Sequence, residues 1–228
     1  MLDLQSFQKK IGISFKDDKI LQTAFTHKSC INESRQKTHN ERLEFLGDAV
    51  LELICTEFLY KNFPQKEEGE MTAIRSALVK KDSLASIARE LKIGKLIRLS
   101  KGEKKSKGEK KDYILVNTVE AIIGAIFLDR GIGKAESFVK KFLLKKIDKI
   151  IEENLHIDAK SMFQEIIQEK EKVTPHYEVL KEEGPDHNKT FLAGVFIEKK
   201  LIATGKGSSK QNAEVEAARA GVEAYEKL

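Results

Sequence analysis

The sequence predicts two domains: an all-α one over residues 1–153, then a small α+β one over 158–228 with the element order α-β-β-β-α. Three observations point there. Up to about residue 152 the apolar residues recur at helical spacing, with few strand signals. The pattern breaks at Glu152-Glu-Asn-Leu-His-Ile-Asp158. Beyond the break Phe191, Ala193, Val195 and Ile197 alternate at period two, the mark of a half-buried strand.

The elements follow in order. Glu70 to Leu91 reads as one helical stretch, with Ala73, Ala77, Leu78, Leu84, Ile87, Ala88 and Leu91 on a broad apolar face. Lys101-Gly-Glu-Lys-Lys-Ser-Lys-Gly-Glu-Lys-Lys111 is glycine-interrupted and strongly basic, so it is expected as a solvated loop, either merely soluble or in contact with phosphates. Lys134 to Ile151 resumes the helical pattern through Phe138, Phe142, Leu143, Ile147 and Ile150. In the second domain a helix is expected around Ala159–Glu171, then strands at Tyr177–Leu180, Thr190–Ile197 and Leu201–Gly205. A last helix from Ser209 to Leu228 places Ala213, Ala217, Ala220, Gly221, Ala224 and Leu228 on one face. Two helices covering one face of a three-stranded sheet make a feasible small core.

Composition excludes several classes. Hydrophobic residues make up 40% of the 228 and charged residues 34%, as in ordinary globular proteins. No apolar run approaches the ~20 residues that cross a bilayer. Met1-Leu-Asp-Leu-Gln-Ser-Phe7 carries a carboxylate where a signal peptide carries basic residues, so a cytoplasmic protein with no membrane partner is expected. Cys30 and Cys55 make no disulfide framework, and the 5 His show no zinc-type spacing. The net charge of +5 hints at a polyanionic partner, but its distribution says more. Residues 1–157 carry 30 Lys+Arg against 23 Asp+Glu, whereas residues 158–228 carry 11 against 13. Any nucleic-acid binding by the second domain therefore has to use a local basic face.

The most informative segment is Asn40-Glu-Arg-Leu-Glu-Phe-Leu-Gly-Asp-Ala-Val-Leu51, continuing to Tyr60. As a helix it is apolar nearly all round, through Leu43, Phe45, Leu46, Val50, Leu51, Leu53, Ile54 and Phe58, and such a helix belongs in a core. Yet Glu41, Glu44 and Asp48 fall at i, i+3 and i+7, a single stripe. Ionised carboxylates there cost several kcal/mol unless cations neutralise them or they border a wet cleft. A second apolar helix, Ile114 to Asp129, sets Asn117 and Glu120 three apart with Gly124 one turn on. Gly47 and Gly124 would let the two helices cross closely and pool their oxygens. Oxygen donors without Cys or His suit Mg²⁺ or Mn²⁺, which can activate a water and stabilise a phosphoryl transition state. The same acids could instead be salt-bridged to Arg42, Arg75 or nearby lysines; spacing does not choose between the two.

At this point the residues resemble a known family. Asn40 to Leu51 resembles the signature of bacterial ribonuclease III, and Thr26-His-Lys-Ser29, Glu68-Gly-Glu-Met71 and Glu120-Ala-Ile-Ile-Gly-Ala125 resemble further blocks of it in the expected order. The C-terminal seventy residues are similar to its double-stranded-RNA-binding domain. The resemblance implies an all-α, dimerising endonuclease domain and a homodimer that cuts both strands of duplex RNA in a Mg²⁺-dependent reaction. Mn²⁺ is expected to substitute. The implied products are staggered ends with 5′-phosphate and 3′-hydroxyl, and the implied substrates are ribosomal RNA precursors and structured messenger RNAs. Carried over by position, Asp48 and Glu120 are the essential acids, and Glu44, Asn117 and Glu120 are direct or water-bridged metal ligands. Glu41 and Glu68 match acids lining the catalytic valley, with roles in subunit pairing and RNA contact.

Two departures stand out. The family commonly has Asp where this chain has Asn117, so the site loses a negative charge and should hold cations less tightly. The stretch Gly205-Lys-Gly-Ser-Ser-Lys-Gln-Asn-Ala213 is similar to the family's Ser-Lys-Lys-x-Ala block, but Gln211 replaces its second basic residue. Lys206, Ser209, Lys210 and the start of the last helix form a plausible phosphate site; a bare helix cap is the plainer reading. A-form RNA is recognised by shape, phosphates and 2′-hydroxyls, which fits the absence of Trp. By the same resemblance Gln164 and Glu165, with His187 in Pro185-Asp-His187, would reach successive minor grooves.

Two rivals remain. A non-catalytic double-stranded-RNA-binding protein would explain Asn117, though not the retention of Glu44, Asp48 and Glu120. A phosphohydrolase of small nucleotides would explain the acids but not the second domain, and no P-loop-type glycine motif is present.

Overall fold

The computed structural model describes residues 3–31, 33, 38–156, 158–185 and 189–226. It divides into two units, Met1–His156 and Ile157–Leu228. The described part of the first unit is helical: α1 (Leu4–Ile11), α2 (Asp18–Ala24), α3 (Glu41–Asn62), α4 (Glu68–Val79), α5 (Lys81–Glu90), α6 (Lys101–Lys105), α7 (Asp112–Arg130), α8 (Ile132–Phe142) and α9 (Ile147–Glu152). Helix α7 is the axis. Ile114, Leu115, Val119, Ala121, Ile122, Ile123, Ala125 and Ile126 are all buried, and α2, α3, α5 and α8 pack around it. A helix apolar on every side has no other stable place.

The structure corrects three expectations. The stretch Glu70 to Leu91 is two helices, because Lys80 is extended (φ −58°, ψ 154°). Ser83 holds that break: its N–H donates to the Lys80 carbonyl (2.9 Å) and its hydroxyl to the Ala77 carbonyl (3.2 Å). Lys134 to Ile151 is likewise broken, at a 3₁₀ turn over Leu144–Lys146. The basic segment 101–111 is exposed for the most part but ordered into α6 and a 3₁₀ turn over Gly108–Lys110; the Ser100 hydroxyl caps α6 by accepting from the Glu103 N–H (3.1 Å).

A fourth correction concerns α3. Leu43, Val50, Leu51, Ile54 and Leu59 are buried, but Phe45 is 82% exposed, Tyr60 74% and Leu53 58%. One side of this helix is therefore left uncovered by the described residues of its own unit.

The second unit comprises α10 (Ala159–Glu171), β1 (His176–Glu183), β2 (Thr190–Ile197), β3 (Lys200–Gly207) and α11 (Lys210–Glu226). The antiparallel sheet has the order β1-β2-β3, with Val179 opposite Ala193 and Ala193 opposite Gly205. Both helices cover one face: Phe163 and Ile167 of α10 meet Val195 and Ile197 of β2 and Ala217, Ala218, Val222 and Tyr225 of α11. Gly205 is required where β3 touches α11, since a Cβ there would sit 2.1 Å from the Ala217 nitrogen.

Candidate active site

The site is built where α3 crosses α7. A Cβ on Gly47 would lie 1.8 Å from the Glu120 carbonyl oxygen, and one on Gly124 would lie 2.2 Å from that of Leu43. The two backbones touch, and nothing larger than hydrogen fits between them. This contact sets the acids of α3 beside Asn117 and Glu120 of α7. Glu44, Asn117 and Glu120 are half-buried, whereas Glu41 and Asp48 face solvent.

The electrostatics show how closely the acids are gathered. Burial, reinforced by the charges of Asp48 and then Glu44, pushes the Glu120 carboxyl up to about 7. Glu44 is also raised, chiefly by burial and by Glu41; hydrogen bonding from the Asn117 side chain and the charge of Lys28 oppose the rise. The buried Glu44 Oε2 has no hydrogen-bond partner. Glu41 differs. Its Oε1 lies 2.8 Å from Lys28 Nζ, and that hydrogen bond holds its carboxyl below the usual range.

The pattern decides part of the salt-bridge question. Arg75 pairs with Glu52 (2.8 Å), one turn beyond Asp48, and donates to the Thr56 hydroxyl (2.8 Å), so its guanidinium is committed further along α3. Only Glu41 of the stripe has a salt bridge among the described residues, and it is an exposed one. Among those residues no three His, Cys, Asp or Glu side chains stand close enough to enclose an ion as they are. The chemistry of the donors still fits a hard cation: an orphaned buried carboxylate oxygen, an amide and a carboxyl raised by its neighbours are the groups a divalent ion would satisfy.

Other positions are not brought to this cluster. Glu68 begins α4, is exposed, and accepts from the Thr72 hydroxyl (3.1 Å). In the second unit Gln164 and Glu165 are exposed on α10, and His187 lies outside the described residues. The Ser209 hydroxyl accepts from the Asn212 N–H (3.1 Å), so it caps α11. Lys210 Nζ sits 2.9 Å from Glu182 Oε1, with Lys189 at 4.0 Å from the same carboxylate's other oxygen. Lys181 pairs with Glu183, and Lys206 is exposed nearby.

Sequence reasoning missed what the Thr26–Ser29 block does. Thr26 is buried and bridges Arg98; its carbonyl accepts from the Asn40 N–H (2.9 Å), directly ahead of α3. His27, held below its usual range by burial, accepts from the Ser29 N–H (3.3 Å), and the Ser29 hydroxyl accepts from the Ser100 N–H (3.1 Å). The block pins the start of α3 and presents Lys28 to Glu41. A Thr-x-x-Ser spacing ahead of an acid-rich helix was the available signal.

Comparison with known proteins places these features. A family model described as Ribonuclease-III-like matches residues 17–147, and one described as a double-stranded RNA binding motif matches residues 159–225. Ribonuclease 3 of Carboxydothermus hydrogenoformans is 45% identical over 223 residues, 97% of this chain and 95% of that one. Ribonuclease 3 of Borreliella afzelii is 43% identical over 226 residues, 99% of this chain and 92% of its own. Among solved structures, a nuclease domain of ribonuclease III from Campylobacter jejuni, described for structural flexibility in the region involved in dimer formation, is 38% identical with a TM-score of 0.59. It covers 63% of this chain and 97% of that domain.

Proposed function

The chain belongs to the ribonuclease III family and carries a double-stranded RNA binding motif, the pairing of a double-strand-specific endoribonuclease; from that premise we propose that it hydrolyses both strands of duplex RNA with Mg²⁺, Mn²⁺ substituting. The observation that carries this reading is the Gly47–Gly124 crossing, which sets Glu44, Asp48, Asn117 and Glu120 at one place and raises Glu120 to about 7. Perturbation of that size by burial and like charge is what a cation or reacting group would relieve.

In this reading Asp48 and Glu120 are the essential acids, and Glu44, Asn117 and Glu120 hold the ion directly or through water. A bound divalent ion supplies an activated water and charge stabilisation at the phosphoryl group. Glu120, raised to about 7, would have to be deprotonated to serve as a ligand. Asn117 orients Glu44 through its amide and leaves its oxygen for the ion. Lys206, Lys210 and the start of α11 receive phosphates of the duplex, while Gln164, Glu165 and His187 approach its minor grooves.

The uncovered Phe45, Leu53 and Tyr60 support a homodimer in which each copy cuts one strand. The products are then staggered ends with 5′-phosphate and 3′-hydroxyl, and the substrates are ribosomal RNA precursors and structured messenger RNAs. A cytoplasmic setting suits these substrates, and no helix of the described residues is long and apolar enough to cross a membrane. Asn117 favours a second reading, a weakly catalytic chain that mainly binds duplex RNA.

The test is incubation of end-labelled duplex RNA with the protein in Mg²⁺, in Mn²⁺ and in EDTA, with single-stranded RNA alongside. Metal-dependent cutting of the duplex alone is expected. Binding without cutting in either metal would overturn the nuclease reading and favour the second.

A further inference from the structure

The acid cluster poses an electrostatic problem for any RNA-cutting site. Glu41, Glu44, Asp48 and Glu120 gather negative charge where a polyanion has to approach, and a divalent ion offsets only part of it. A cation from the protein at the rim would offset more. Lys28 occupies that place. Its Nζ lies 2.8 Å from Glu41 Oε1, and its charge also acts on Glu44 and on Tyr113 in the first turn of α7. The residue therefore stands between the start of α3 and the start of α7, the two helices that carry the acids.

The backbone beneath Lys28 is held far more firmly than an exposed ion pair needs. Thr26 is tied to Gln22 (2.7 Å) and to Asn40 (2.9 Å), the His27 N–H donates to the Arg98 carbonyl (3.1 Å), and Ser29 is tied to His27 and Ser100. The side chain above this anchor is nevertheless 62% exposed. Exposed pairs of this kind contribute little to stability. A rigid base under a solvent-facing ammonium, with two N–H groups beyond the one given to Glu41, is the arrangement of a group that awaits an anion.

We propose that Lys28 is a substrate-positioning residue: it holds a phosphate of the strand to be cut at the edge of the acid cluster, and Glu41 keeps its ammonium in place while no RNA is bound. This assignment rests on the endonuclease reading. It treats the Lys28–Glu41 pair as a device for approach, since a purely structural pair would affect melting temperature and nothing else.

The test uses the full chain with Lys28→Met and Lys28→Arg, steady-state cleavage of a duplex across a salt series, and calorimetric titration of the RNA-free protein with Mg²⁺. Lys28→Met is expected to raise KM about tenfold with a smaller fall in kcat. The logarithmic salt slope should become shallower by about one unit. Lys28→Arg should recover most of the loss. Mg²⁺ binding to Lys28→Met should be unchanged or tighter, because a cation has left the rim. Unchanged KM and salt slope would overturn the assignment, as would a loss that follows weakened Mg²⁺ binding or a kcat defect alone. If the wild-type chain itself leaves duplex RNA uncut, the endonuclease reading fails; if the wild type cuts and Lys28→Met behaves like it, only this assignment does.

Discussion

The nuclease unit and the RNA-binding unit treat charge in opposite ways. At the α3–α7 crossing Glu44, Asp48 and Glu120 have no salt bridge among the described residues: Glu44 Oε2 is buried and unpartnered, and Glu120 is driven up to about 7 by burial and by Asp48 and Glu44. Around the start of α11 two of the cations are already answered by the chain's own carboxylates, Lys210 by Glu182 and, on β1, Lys181 by Glu183. Ser209 is likewise committed to capping. The first site gains when a ligand arrives. On the proposed function the second would exchange one anion for another, duplex RNA competing with Glu182, in keeping with the 11 basic and 13 acidic residues of 158–228. One chain thus holds a poised site and a neutralised one.

The harshest way to break this contrast is to separate the helices that create it. Gly47→Ala drives a methyl into the Glu120 carbonyl. We expect about 3 kcal/mol of destabilisation and loss of cutting. A variant with wild-type melting and activity would mean the acids are not positioned by this crossing.

Protonation probes the poised site next. In the metal-free protein Glu120 has a folded-state pKa of about 7 against an ordinary 4.5. Between those values the folded state binds more protons than the unfolded one, so stability from this group falls as pH rises through the window. Above it the full repulsion is present, and Mg²⁺ has most to relieve. We expect about 10 mM Mg²⁺ to raise the melting temperature by roughly 3–5 °C at pH 8 and distinctly less at pH 5.5. Equal shifts at both pH values would count against Glu120 as a ligand.

Asn117→Asp sharpens the same site. It adds a negative charge and removes the amide that hydrogen-bonds Glu44. The Mg²⁺ concentration for half-maximal cleavage should fall roughly five- to tenfold. A metal titration with no shift would show that position 117 stays outside the ion's reach.

The smallest effects belong to the neutralised unit. Glu182→Gln should tighten duplex binding about two- to fourfold, and Lys210→Ala should weaken it and lower the salt slope by about one unit. If Glu182→Gln leaves binding unchanged across a salt series, Glu182 is no competitor for the phosphate.

Much of the nuclease site was legible in the chain. Acids at i, i+3 and i+7 beside Gly47, and Asn117 and Glu120 beside Gly124, announce two helices meeting at a polar patch, because small residues and costly carboxylates signal through local spacing. The exposure of Phe45, Leu53 and Tyr60 was not legible, since an apolar residue reads the same whether its own chain or another molecule covers it. The break at Lys80 was hidden because Ser83 makes it through hydrogen bonds that leave the apolar period intact. The pairing of Lys210, read as part of a plausible phosphate site or a bare helix cap, was not legible because its partner Glu182 lies on β1, and an ion pair between elements distant in sequence leaves no trace in spacing. Lys28 was passed over because its partner Glu41 lies thirteen residues on, beyond any local spacing rule.

The glycine contact between α3 and α7 also bears on how quickly the site can respond. With a carbonyl of each helix pressed against the backbone of the other, these elements have no room to slide or rotate at the crossing. On the proposed function, adjustment to an incoming ion would fall to the torsions of Glu44, Asp48, Asn117 and Glu120, and side-chain flips near a surface take picoseconds to nanoseconds, where collective shifts of packed elements take microseconds or longer.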